Sequence, residues 1–151
     1  MNDFLALDLS AAGMRAQRIR MQTVAENLAN QNTIGPGGPY QRKDVIFSAV
    51  PVQSFEQSLD SAVSRLSETE NGAPVQTVAV SGVRPDGAEP IKRYEPDNPL
   101  ADAQGYVAYP NISIFREMTD MVEAARSYEA NLAASKATQE MLISAMELVR
   151  K

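Results

Sequence analysis

Residues 111–151 read NISIFREMTDMVEAARSYEANLAASKATQEMLISAMELVRK. From Ile114 onward a seam recurs at alternating spacings of four and three: Ile114, Met118, Met121, Ala125, Tyr128, Leu132, Ser135, Gln139, Leu142, Met146 and Val149. Only Ser135 and Gln139 in it are polar. A period of about 3.5 residues held that far predicts a helix that lays one narrow stripe along a partner helix. Residues 114–150 contain neither Gly nor Pro, so nothing in the backbone interrupts it. Ser113 stands where an N-cap hydroxyl can accept from a first-turn N–H. At about 1.5 Å per residue the rod is roughly 55 Å long, well beyond the average globular helix. A chain of 151 residues can hardly cover all of it, and most helical stability comes from packing. The pattern asks for a partner.

Residues 3–33 predict a second long helix and its exit. Leu7, Ala11, Met14, Arg18, Met21, Ala25 and Leu28 repeat the same spacing, with Arg18 the one charged intruder. Gly13 costs about 1 kcal/mol relative to Ala. Asn27, Asn30 and Asn32 suit a helix end, and Gly35-Pro36-Gly37-Gly38-Pro39 then excludes any regular element. Residues 34–110 read as a β-rich middle unit. Residues 40–50 and 75–83 alternate as strands, with Val45 and Phe47 on one face and Ile46 on the other. Arg84-Pro85-Asp86-Gly87 is a turn and 91–94 a third strand. Phe55, Leu59, Ala62, Val63 and Leu66 suggest a short amphipathic helix at 53–67, followed by a polar connector. The expected fold is therefore α+β. Long N-terminal (3–33) and C-terminal (111–151) helices pair as a coiled-coil-like arm, with the β unit between them.

The totals exclude several kinds of chemistry. The chain has no cysteine and no histidine, so disulfides, thiol catalysis and the commonest general base and metal ligand are absent. A net charge of -5 argues against gripping nucleic-acid phosphates. No stretch is long and apolar enough to span a membrane. Asp3 and Asp8 sit where a cleaved signal carries positive charge, which fits either a cytoplasmic protein or export that needs no cleaved signal. The glycines at 35–38 lack the Lys-Ser/Thr pair of a phosphate loop. No cofactor or metal is expected.

From Tyr94 to Ile112 the chain reads YEPDNPLADAQGYVAYPNI. The string carries Tyr94, Pro96, Asn98, Pro99, Leu100, Ala101, Asp102, Gly105, Tyr106, Val107, Pro110 and Asn111. It resembles the segment that precedes the C-terminal helix in flagellar basal-body rod proteins, those of the proximal rod and of the FlgC type. Asn27-Leu28-Ala29-Asn30 with Thr33 is similar to the motif that rod and hook proteins share near the N-terminus. Ser127-Tyr128-Glu129-Ala130-Asn131 resembles a motif of the family's C-terminal helix. The resemblance covers about 5–47 and 91–149 and is loose over 51–90.

The resemblance implies a structural subunit of the rod that crosses the periplasm and transmits torque. Its partners would be copies of itself, other rod proteins and the flagellar type III export apparatus. Periodicity alone fits a self-contained two-helix hairpin equally well; the motifs favour assembly. The assembly seam is then Leu7, Ala11, Met14, Met21, Ala25 and Leu28 with Ile114, Met118, Met121, Ala125, Tyr128, Leu132, Leu142, Met146 and Val149. Alanines around it allow close helix approach, and methionines give adaptable packing. Residues 94–112 read as the joint that aims the C-terminal helix, with Asn98 and Asn111 bonding local backbone. Alternatives are another axial protein of the same family, a helical adaptor binding one partner, and a hydrolase using Glu95, Asp97 and Asp102. Against the last, no apolar pocket is evident to raise a carboxylate pKa.

Overall fold

The structure, a computed structural model, describes residues 2–52 and 75–149. The helix expected at 53–67 and the polar connector after it lie outside the described residues. Among the described residues two long helices, α1 (Asn2–Ala29) and α2 (Ile114–Val149), bracket six strands. The fold is α+β, as the sequence pattern predicts.

α1 ends on its own asparagines. Asn30 N–H donates to Glu26 O and Asn27 O, and the Asn30 side-chain amide donates to Glu26 O at 2.8 Å. Thr33 then closes back on Asn30 through both backbone and side chain. Carbonyls that the last turn leaves open are thereby satisfied. The Gly/Pro stretch that follows is more regular than its composition implies. β1 (Ile34–Gly35) pairs with β2 (Gly38–Pro39) as a two-residue antiparallel bridge, and Gly38 takes φ +107°, which favours glycine.

β3 (Lys43–Pro51) pairs antiparallel with β4 (Gln76–Pro85), which runs past Val83 into the expected turn. A bulge between Ile46 and Phe47 leaves Ser81 unpaired, and the Ser81 hydroxyl donates to Ile46 O at 3.0 Å. The bulge breaks the expected alternation, so Val45, Ile46 and Phe47 all border one groove against α1 and α2. β5 (Ile91–Tyr94) and β6 (Tyr106–Tyr109) form a separate antiparallel ribbon. Two-stranded ribbons are marginal alone. The first packs on α1, and β6 touches β2.

The helices lie antiparallel. Asn27 meets Glu117, Arg20 meets Asp120, and Gly13 meets Asn131, so α1 descends as α2 ascends. What they bury against each other is small or polar. Ser10, Ala12, Ala16, Thr23, Val24 and Asn27 of α1 are buried, and so are Glu117, Ala124 and Thr138 of α2. A Cβ on Gly13 would lie 2.7 Å from Asn131 Oδ1. That closeness explains the choice of residues: methionine or leucine at the contact would hold the backbones apart.

Candidate functional site: a polar lock and an uncovered helix face

Where α1, β3 and α2 meet, three polar side chains are buried together. Asn27 and Glu117 are 0% exposed and Arg42 is 6% exposed. The Asn27 side chain brackets Lys43, its amide donating to Lys43 O and its oxygen accepting from Lys43 N–H, both at 2.9 Å. The same amide donates to Glu117 Oε2 at 3.1 Å, and Tyr40 Oη donates to Asn27 Oδ1 at 3.1 Å. Arg42 Nε donates to Glu117 Oε1 at 2.8 Å. Its other nitrogens lie 2.7 Å from Asp44, 3.4 Å from Asp86 and 3.8 Å from Asp120. Burial, the largest influence on Arg42, works to lower its pKa. The hydrogen bonds to Glu117 and Asp44 outweigh it and hold the guanidinium above its ordinary range. Arg42 stays charged at any working pH.

The lock gives the N-terminal Asn-Leu-Ala-Asn motif a physical reading. Asn27 is the residue that ties the helix end to the first long strand and to α2. Arg42 and Glu117 were not singled out from the sequence. A lone arginine at a strand start and a glutamate in a helix's first turn carry no periodic signal; each gains meaning only when the fold brings them together.

The 94–112 segment is the second polar construction. Glu95 Oε2 accepts from Tyr109 Oη at 2.9 Å and from the Asn98 amide at 3.1 Å. The Asn98 side-chain oxygen accepts from Leu100 N–H, and Asp102 Oδ1 accepts from Gln104 and Tyr106 N–H at 2.9 Å each. The Tyr106 N–H is the main cause holding the Asp102 carboxyl below its ordinary range; burial opposes, and Gln104, Lys92 and Gly105 assist. The hydrogen bond to Glu95, with some burial, raises the Tyr109 pKa. Gly105 turns the chain at φ +82°, where a Cβ would sit 2.9 Å from the Tyr94 ring. Tyr94 and Tyr106 rings meet edge-on at 5.4 Å, and Val107 is buried. Asn98 bonds local backbone as the sequence suggests, but Asn111 does not. Its amide donates to Glu89 O at 3.2 Å, tying the entry to α2 to the residues before β5.

The sequence-predicted seam is split by the structure. Met121, Tyr128 and Leu142 are half-buried, as are Leu7, Ala11, Met14, Met21, Leu28 and Ala125. Ile114, Met118, Leu132 and Met146 face solvent, and so does Ala25. The inward row of α2 is instead Glu117, Ala124, Asn131 and Thr138, one residue earlier in each heptad than Met118, Ala125, Leu132 and Gln139. One residue is about 100° of helix rotation, which carries the larger side chains out of the intrachain contact. Phe115 (86% exposed), Val122, Met141, Ile143 and Leu148 (77%) join them on the open surface.

Comparison with known proteins bears on this helix pair. Residues 7–36 match the family described as flagella basal body rod protein, and residues 103–148 match flagellar basal body rod FlgEFG protein C-terminal. The chain is 39% identical over 154 residues to the flagellar basal-body rod protein FlgC of Bacillus subtilis (strain 168), covering 98% of this chain and 99% of the relative. The chain belongs to the FlgC family of flagellar basal-body rod proteins. The FlgC of Aquifex aeolicus is 43% identical over 142 residues, covering 93% and 92% of the two chains. That of Salmonella typhimurium is 34% identical over 143 residues, covering 93% of each. The chain is thus a structural subunit of the flagellar basal-body rod. The two family matches fall on α1 with its exit and on the 103–148 region, and each contains one half of the antiparallel contact.

Proposed function

We propose that this FlgC-family subunit acts without catalysis, joining copies of itself and other rod proteins in the periplasm-crossing drive shaft, to which the flagellar type III apparatus delivers it without a cleaved signal. The observation that carries the reading is the apolar surface left open on α2, from Phe115 and Met118 through Leu132 to Met146 and Leu148. Large apolar side chains left exposed along a helix favour an interaction site, and here the chain's own partner helix covers the neighbouring, polar row. Ile114, Met118, Leu132 and Met146, the part of the seam that lies on this surface, serve assembly. Two of the three acids considered for hydrolysis support a structural role: Glu95 and Asp102 are occupied in holding the loop.

Leu132→Asp tests this. Leu132 is 36% exposed, at the edge of the intrachain contact, and the variant is expected to accumulate in soluble form near normal levels. It should fail to enter basal bodies isolated from the bacterium, with motility lost. Unchanged motility and normal incorporation would reject the outward face as the assembly surface.

A further inference from the structure

The row of α2 that meets α1 and the row beside it are nearly interchangeable in shape. Met118, Ala125, Leu132 and Gln139 follow Glu117, Ala124, Asn131 and Thr138 by one residue each, about 100° around the axis. Ala124 and Ala125 are the same residue, and Asn131 and Leu132 branch at the same carbon and differ little in size. Met121, Tyr128 and Leu142 lie between the two rows, half-buried, and would flank the contact in either orientation. The α1 side is as permissive, because Ala12, Gly13 and Ala16 are buried there. Shape therefore gives little reason for the orientation observed. Hydrophobicity opposes it: a turn of one residue would cover Met118 and Leu132 and release Glu117 to water.

The layer that discriminates is that of Glu117 and Met118. Glu117 accepts from Asn27 and Arg42. Both N–H groups and both lone pairs of the Asn27 side chain are used, toward Lys43, Glu117 and Tyr40. Met118 in place of Glu117 would offer them only a weak thioether acceptor, and buried polar atoms left unpaired are costly. The other polar links are looser. Arg20 reaches Asp120 and Glu123 from a partly exposed, flexible side chain that can follow a turning helix. The Asn131 amide donates within α2, to Ser127 O, and travels with it.

From this difference between layers we infer that Asn27, Arg42 and Glu117 are positioning residues, holding α2 in the rotation that keeps Met118, Leu132 and Met146 outward for assembly. Without them α2 turns by one residue, the apolar row packs on α1, and the subunit hides the surface it assembles with. The inference rests on the rod-subunit reading for the use of that surface, and adds what keeps it open.

Thiol labelling measures the rotation, because the chain has no cysteine of its own. Thr138→Cys and Gln139→Cys place single probes at adjacent positions, one buried and one exposed. Both lie about 30 Å along the helix from Glu117, so they report the helix as a whole. In dilute chain that sediments as a monomer, a water-soluble maleimide should modify the thiol at 139 roughly tenfold faster than that at 138. Asn27→Leu with Arg42→Leu leaves Glu117 facing an apolar site. The ratio is then expected to invert, with the thiol at 138 about threefold the faster. Loss of packing without rotation would speed both thiols and bring the ratio to one; that result in a variant that keeps its helices, or an unchanged ratio, overturns the inference. Should the double variant lose its helices by circular dichroism, Glu117→Gln decides, since it keeps the shape and removes the charge. A slower thiol at 139 with a faster one at 138 supports the rotation, and any other change, or none, overturns it. Labelling needs no assembly and stands apart from the Leu132→Asp test. An unturned helix in the lock variants, with Leu132→Asp still excluded from basal bodies, keeps the rod-subunit reading and loses this one.

Discussion

The two faces of α2 invert the usual arrangement of a helix in a small protein. The inward row is Glu117, Ala124, Asn131 and Thr138, while the outward surface holds Phe115, Met118, Val122, Leu132 and Met146. Inside, specificity comes from closely fitted polar groups: Asn27 and Glu117 find partners for their buried atoms, and Gly13 lets Asn131 approach. Outside, nonspecific apolar area remains for larger neighbours to cover. Such an arrangement suits a part whose hydrophobic stabilisation arrives with assembly. The intrachain contact sets the geometry of the helix pair and leaves most of the large apolar side chains of α2 uncovered.

The contrast is broken most severely at the lock. Glu117→Ala leaves the Arg42 guanidinium without its one fully buried counter-charge and removes the Asn27 contact. Removing one partner of a buried ion pair costs about 3–5 kcal/mol, and the remaining Asp44 and Asp86 place the expected loss toward the lower end. Chemical denaturation followed by circular dichroism measures it. The same experiment on Leu132→Asp should show a smaller loss, about 1 kcal/mol, from helix propensity and the covered part of the side chain. Equal losses for the two would mean that the outward face is part of the subunit's own core.

A sharper probe lies midway along the helix contact. Gly13→Ala gains about 1 kcal/mol of helix propensity, but its Cβ would meet the Asn131 amide group within 2.9 Å. That side chain donates to Ser127 O at 2.8 Å, so it cannot yield without losing a bond. Overpacking costs about 1–3 kcal/mol, and the net expectation is a loss of about 1 kcal/mol. In an Asn131→Ala background the obstacle is gone, and Gly13→Ala should become neutral or stabilising. A double-mutant cycle reads this non-additivity directly. Additive effects would show that the helices do not approach as closely here as the structure has them.

Much of the architecture was legible because it rests on signals that a linear sequence carries. The absence of Gly and Pro across 114–150, the asparagines after Leu28 and the alternation in β3 and β4 all mark elements locally. The face of each helix was harder. Apolar periodicity selects the row with the largest hydrophobic side chains, which is the packing row when the core is intrachain. Here Met118, Leu132 and Met146 belong to the surface, and the intrachain row is written in Glu, Ala, Asn and Thr. Hydrophobicity finds only Met121, Tyr128 and Leu142, which flank that row half-buried. Arg42 and Glu117 are separated by 75 positions and become a pair only through the antiparallel return of α2. The motif residues told a different story: Asn27, Asn98 and Asp102 stood out by resemblance, and the structure supplies reasons in hydrogen bonds.

The smallest expected effect separates the lock from the other polar construction, the 95–105 loop. Asp102 is fully exposed, and its carboxyl is held below its ordinary range chiefly by the Tyr106 N–H. A carboxylate with a depressed folded-state pKa adds stability that is present above its unfolded value, about 3.9. That stability fades as pH falls through the lower folded value. Acidification from pH 5 to below about 3 should therefore loosen the turn at Gln104–Tyr106, seen as loss of amide protection there. α1 and α2 need not respond through this residue. Asp102→Asn should shift the loop's amide resonances at neutral pH and remove Asp102's share of the acid response, while the stability of the helix pair stays unchanged. If Asp102→Asn instead destabilised the helix contact, the loop would have to aim α2 through more than Asn111 and Glu89, and the two polar constructions would be one.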